Sequence, residues 1–194
     1  MVKQDKEIKE KIISATMDLI KEHGDTSKIT VRDIAARAGV GIGLINYHFQ
    51  TKDNLVNLCT LELIRHSIEQ LGAMNQNMVL EPLAQMKALG CGIAAFMAMN
   101  PGVSRISIVK DLVSADAADN SAQVVKMFFP IARNICSRDQ TDQDVNLLLH
   151  MLISSIEAAF LRRDVIKDSF GLDFNQAEQR DRFVSFCIDR IFSK

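Results

Sequence analysis

Three prolines and nine glycines in 194 residues are too few for a chain that must turn often. No stretch alternates apolar and polar residues as a half-buried strand does. These two shortages exclude a β-sandwich or barrel, and runs at helical spacing remain, so the expected fold class is all-α. A C-x-x-C pair is also missing. Cys59, Cys91, Cys136 and Cys187 are widely separated and no histidine stands at ligand spacing, so no metal site is expected. The charged opening KQDKEIKEK is unlike a leader peptide, and the four scattered thiols fit a reducing cytoplasm. The longest uncharged apolar run of the second half, ALGCGIAAFMAM at 88–99, is shorter than the ~20 residues a bilayer requires. No membrane partner is expected.

Excess charge of either sign is absent as well. The net charge is −1, so attraction to nucleic acid has to come from local placement. Neither a nucleophile–base motif, a paired-carboxylate motif nor a cofactor signature is present. Gly39-x-Gly41-x-Gly43 does not meet the dinucleotide pattern, and no strand precedes it. Neither an enzyme nor a cofactor is expected.

What the sequence does contain is about nine helices. Ile8, Ile12, Ala15 and Leu19 mark the first, over roughly 5–22, with Gly24 as its stop. Thr30 and Asp33 have the spacing of a capping box for a short helix, VRDIAARA, which Gly39 ends. A second short helix closes at Gln50, and Thr51 caps a long one running to about Asn77. Pro82, Asn120, Thr141 and Asn175 signal later starts, with the helix from 141 reaching about 167. The expected domains are 1–52 and 53–194.

Short helix, glycine turn and second short helix have helix-turn-helix spacing. From Ala38 to Thr51 there is no charged side chain, although the segment holds the chain's single tyrosine, Tyr47. Ile45 and Phe49, four apart, suit an inward face. Gly41, Ile42, Gly43, Asn46, Tyr47 and His48 are left for the outward one. A major groove is read by hydrogen bonds and methyl contacts, while cations mostly hold phosphates. Asn46 suits an adenine edge and Ile42 or Leu44 a thymine methyl, while Tyr47 and His48 have the length to reach phosphates. Arg32 and Lys52 supply flanking charge.

KIISATMDLIKEHG followed by ITVRDIAARAGVGIGLINYHFQTKDNLV closely resembles the DNA-binding domain of TetR-family transcriptional regulators over about residues 8–58. By position, the resemblance places Thr30, Arg32, Tyr47, His48 and Lys52 at phosphates, and Gly43 and Asn46 on the recognition helix. Gly41 and Ile42 depart from the polar residues that many members carry there. The resemblance also implies a helical C-terminal domain that dimerises and binds a small effector.

Two glycines, Gly90 and Gly92, flank Cys91 within one helix, where each costs about 1 kcal/mol against alanine. They point to a close crossing, a kink or a cavity. An apolar lining of Leu89, Ile93, Phe96, Met127, Phe128 and Met151, with Ser154, Glu157 or Arg105 for orientation, would favour a hydrophobic or aromatic effector. Broad apolar stripes on the helix from 141 and on the last helix suggest a homodimer interface built from Leu148, Leu152, Ile156, Phe160, Phe183, Cys187 and Ile191. The function expected is a cytoplasmic repressor that leaves a near-palindromic double-stranded operator when the effector binds. The alternatives are a helical carrier of apolar molecules and a protein-docking module with weak DNA binding.

Overall fold

The structure, a computed structural model, describes residues 2–23, 26–76, 80–113 and 119–192, without the side chains of residues 2–4, 27, 75 and 76. Gly24, Asn77 and the segment 114–118, where expected helix ends fall, lie outside the described residues.

Ten α-helices and one 3₁₀ turn occur among the described residues, with no strand. They are α1 (Val2–His23), the 3₁₀ turn Thr26–Lys28, α2 (Val31–Ala38), α3 (Ile42–Phe49), α4 (Lys52–Gln76) and α5 (Pro82–Met99). Then come α6 (Pro101–Val113), α7 (Asn120–Ile135), α8 (Asp142–Leu161), α9 (Arg163–Phe170) and α10 (Ala177–Phe192). The helix expected to reach about 167 is two helices. Arg162, at φ −105° and ψ 16°, leaves helical geometry and divides α8 from α9.

Local signals place most boundaries. Capping boxes form at Thr30–Asp33 and at Thr141–Asp144, each satisfying first-turn amides that would otherwise lack partners. The Thr51 hydroxyl accepts from the Asn54 amide at 3.1 Å. The start of α7 differs by one residue from the expectation: Asp119 is the cap, its carboxylate accepting from the Ala122 amide at 2.8 Å, and Asn120 is the first helical residue.

The chain divides into two compact units, residues 1–65 with 100–107, and residues 66–99 with 108–194, so the first division falls inside α4. In the first unit α1 packs on α2 and α2 on α3. Ile12, Leu19, Ile20, Ile34, Ile45 and Leu55 are buried there, each contributing about 1.5–3 kcal/mol relative to exposure. In the second unit α5 packs on α10 and α7, and α8 on α7 and α10. Met86, Phe128, Leu149, Leu152 and Ile188 form the centre of its core. α5 and α8 are long and apolar enough to cross a membrane by length and composition; both also contribute residues to the core.

The two α5 glycines have different surroundings. A Cβ on Gly90 would lie 2.9 Å from Val184 Cγ1 and 3.3 Å from Ile188 Cδ1, so α10 crosses α5 there at contact distance. On Gly92 it would meet only Leu71 Cδ2, at an ordinary 3.5 Å.

Candidate nucleic-acid interface

α2, its turn and α3 are assembled from few elements. Gly39 takes the left-handed conformation, φ 66° and ψ 36°, and its amide bonds back to the carbonyls of Ala35 and Ala36. Only glycine adopts that geometry without strain from a Cβ. Ile45 and Phe49 are buried on the inward side of α3, while Tyr47 is 75% exposed. Asn46, Ile42, Leu44, Gly41 and Gly43 are exposed too.

The N-terminus of α3 is open. Gly41 occupies the cap position without a side-chain hydrogen bond, and the first helical bond to its carbonyl comes from the Leu44 amide at 3.0 Å. First-turn amides of an uncapped helix are donors suited to a phosphate oxygen. A Cβ added to Gly41 or Gly43 would meet nothing within 4 Å. Packing within the chain does not require glycine at either place, and their smallness leaves the backbone approachable from outside.

Three expected phosphate contacts are corrected in part. His48 does not point outward. Its side chain is 5% exposed, with Nε2 3.6 Å from Asp5 Oδ1, which is an ion-pair distance and too long for a good hydrogen bond. The ring stands edge-on to Tyr47 at a centroid distance of 5.0 Å, so it supports Tyr47 from behind. Thr30 has its hydroxyl engaged: it donates to Asp33 Oδ2 at 2.6 Å and accepts the Asp33 amide at 3.2 Å, while the Thr30 amide donates to the same carboxylate at 2.9 Å. These bonds hold the Asp33 carboxyl below its ordinary range. Lys52 is partly engaged, donating to the Ile29 carbonyl at 3.1 Å, with Asp53 at 3.7 Å. Arg32 is exposed. Arg37 is not available in the same way, since it forks onto Glu22 with two 2.8 Å bonds.

Gln50 closes α3 in a conformation that nothing in the sequence announces. Its φ is 66° and ψ −55°, and the Thr51 amide bonds to the Phe49 carbonyl at 2.8 Å across it. That is a γ-turn with positive φ, a strained form for a residue with a Cβ.

Residues 12–59 match the family model described as bacterial regulatory proteins, tetR family. The HTH-type transcriptional regulator BetI from Yersinia pestis is 33% identical over 88 residues, an alignment spanning 43% of this chain and 42% of that relative. Over this N-terminal segment the chain is similar to the TetR family, and it spans less than half the length of the curated relative it matches. Its fold is shared along the whole length. A TetR transcriptional regulator from Rhodococcus sp. RHA1 superposes with a TM-score of 0.58 at 16% identity, covering 98% of both chains. A gamma-butyrolactone receptor (ArpA-like protein) does so with a TM-score of 0.50 at 19% identity, covering 97% of both chains.

Within this fold, Leu89, Phe128, Ile93 and Met127, four of the residues expected to line an effector cavity, belong to one core. Leu89 and Phe128 are core residues, 4% and 0% exposed, whereas Met151 is 57% exposed. Met127 lies against α4, where a Cβ on Gly72 would meet its sulfur at 3.0 Å. Ile93, Phe96 and Ser154 are half-buried.

The expected dimer residues need a similar correction. Leu152, Ile156 and Phe160 are buried inside the single chain. Leu148, Phe183, Cys187 and Ile191 are partly buried against the same core. α8 is apolar around much of its circumference, and its broad stripe resolves into two faces. The inner one fills the core. The outer one presents Leu147 and Met151, both more than half exposed, with Ala158 further along. On α10 the exposed aromatic is Phe186.

Proposed function

We propose that this chain is a sequence-specific DNA-binding transcriptional regulator that acts as a homodimer and is released from its operator by a small effector. One observation carries the reading: α3 turns an uncharged, uncapped face outward, with Asn46 and Tyr47 exposed beside open glycines 41 and 43. Such a face reads base edges through amide and methyl contacts. Cations and helix N-termini at its flanks hold the backbone. The N-terminal domain, about residues 1–52 with the first turns of α4, would be the reader, and the remainder would carry the effector and dimer surfaces. The printed description of the gamma-butyrolactone receptor supports an effector-responsive member of the same fold, without naming this chain's ligand.

The outer faces of α8 and α10, at Leu147, Met151 and Phe186, are the proposed dimer surface, since exposed apolar side chains at helical spacing need a covering partner. Two readers related by a two-fold axis would match half-sites about 34–36 Å apart, or a multiple of that spacing. An effector would act only through its differential affinity for the arrangements of the two readers.

The test is selection of bound duplexes from a random pool, followed by a salt titration. A two-fold symmetric site is expected, with binding lost in the Asn46→Ala, Tyr47→Ala double variant although its melting temperature is unchanged. Enrichment of no sequence would overturn the reading in favour of a carrier. Met151→Asp should yield monomers by sedimentation and weaken operator binding; an unchanged dimer would move the interface elsewhere.

A further inference from the structure

The second unit holds a buried to half-buried polar group of three side chains drawn from three helices. Asp111, near the C-terminal end of α6, is 6% exposed. Its Oδ2 accepts the Ser121 amide and the Ser121 hydroxyl, each at 3.1 Å. The same hydroxyl, in the first turn of α7, lies 2.7 Å from Glu157 Oε1 on α8. A serine hydroxyl has one hydrogen and can donate it to only one carboxylate. The second short contact therefore needs a carboxyl group that donates, so one of the two acids carries a proton in the free protein.

Glu157 is the acid that holds it. Burial pushes its carboxyl up to about 7; the neighbouring charges of Asp111 and Asp119 act in the same direction, against the Ser121 hydrogen bond. Burial also pushes Asp111 up, Asp119 adds to this, and Lys110 beside it acts the other way. Asp119 itself caps α7. The pair thus faces further negative charge, and Lys110, the cation beside Asp111, is exposed on α6.

A second observation concerns the other oxygen. Asp111 Oδ1 is buried and has no hydrogen-bond partner. A buried carboxylate oxygen left without a donor is costly, and in native structures it calls for a specific reason. The site is short of one positive charge and of at least one N–H or O–H donor.

We propose that Asp111 and Glu157 are the receptor for one protonated primary or secondary amine, with the Ser121 hydroxyl holding the two carboxylates in register. An ammonium supplies both missing quantities at once. A quaternary ammonium would bring the charge but no donor for Asp111 Oδ1. A metal ion is a poorer fit, because among the described residues no group of three or more histidine, cysteine or acidic side chains is arranged to hold one. Ile108, Val124 and Ile153 stand three or four residues from Asp111, Ser121 and Glu157 on the same helix faces and are buried. The amine should accordingly carry a short apolar body. On binding, the Glu157 O–H proton leaves to solvent, the carboxylate forms, and N–H···O bonds to the two acids replace it. The amine keeps its own proton, being an ammonium near neutral pH.

This site would name the effector class only if the regulator reading holds, so its test uses no DNA. Calorimetry of the full-length protein at pH 6.5 with n-butylammonium, in two buffers of different ionisation enthalpy, counts protons released. We expect saturable binding with release of up to one proton per chain, at least tenfold weaker binding of tetramethylammonium, and none of 1-butanol. Glu157→Gln should abolish the proton release and weaken binding at least tenfold, and Asp111→Asn should weaken it similarly. Absence of n-butylammonium binding to the unaltered protein would overturn the proposal. So would equal binding of tetramethylammonium, or proton release that persists in Glu157→Gln. The buffer comparison on the unaltered protein decides the matter even if a variant fails to fold. Failure of operator selection would leave this result standing.

Discussion

The ammonium of Lys52 donates to the carbonyl of Ile29 at 3.1 Å, tying the first turn of α4 to the chain just ahead of α2. One cation thus holds a backbone oxygen and stands at the start of the helix that follows α3. If Lys52 also reaches a phosphate when DNA binds, Lys52→Met should weaken binding to every sequence alike and reduce the salt slope by about one. If it serves only the Ile29 carbonyl, the slope should stay unchanged while the thermal midpoint falls. Salt titrations of the two proteins on one duplex separate these roles.

At Gln50 the strain itself is measurable. Glycine accepts positive φ without a Cβ penalty, so Gln50→Gly should raise stability by about 1 kcal/mol, after allowing for the greater freedom glycine gives the unfolded chain. Denaturant melts of the two proteins give the sign. A fall in stability would show that the Gln50 side chain makes contacts worth more than the strain.

The two glycines of α5 should respond in opposite directions. Gly90→Ala forces a Cβ to within 2.9 Å of Val184 Cγ1, a stiff β-branched side chain on α10. The overlap should outweigh the helix-propensity gain and leave the protein less stable by about 1–2 kcal/mol. Gly92→Ala meets Leu71 at ordinary contact distance and should be stabilising by up to about 1 kcal/mol. Thermal melts of both variants test the pair, and equal effects would count against the packing difference.

Glu157 should give stability a pH dependence opposite to that of most carboxylates. Its carboxyl titrates near 7 when folded against an ordinary 4.5, so the folded state binds the proton more tightly. Its contribution is fully present below about 4.5 and is lost as pH rises through 7, amounting to about 3 kcal/mol at most. Asp33, Asp144 and Asp173 are shifted downward by their hydrogen-bond donors; their contributions are present at neutral pH and lost in acid below about 4. Glu157→Gln mimics the protonated acid and should flatten the curve between pH 5 and 8, ending above the unaltered protein at pH 8. A slope unchanged by the substitution would place the titration elsewhere.

The helix-turn-helix geometry was legible because its signals are local. Thr30 three residues before Asp33, Gly39 at a left-handed position, and Ile45 four residues before Phe49 each act within one or two turns. The approach of His48 to Asp5 was not legible, because Asp5 lies forty-three positions earlier and on another helix. Gln50 gave no sign either, since its positive φ occurs without glycine or asparagine. On α8 the periodicity showed a broad apolar surface but could not divide it, as the division depends on where α7 and α10 pack. Glu157 stood out as an orienting group, but its pairing with Ser121 and Asp111 was invisible for the same reason: the three lie ten and thirty-six residues apart.

The absence of charge on α3 also bears on how the protein would behave when a cell's ionic content changes. Salt competes with cations for phosphates, and it weakens right and wrong sites together. Amide and methyl contacts to base edges are short-ranged and displace few counterions. If the chain binds DNA as proposed, a rise in ionic strength would therefore lower occupancy while leaving the ranking of sites nearly intact. On the proposed reading, the protein would release DNA as ionic strength rises and still tell one sequence from another.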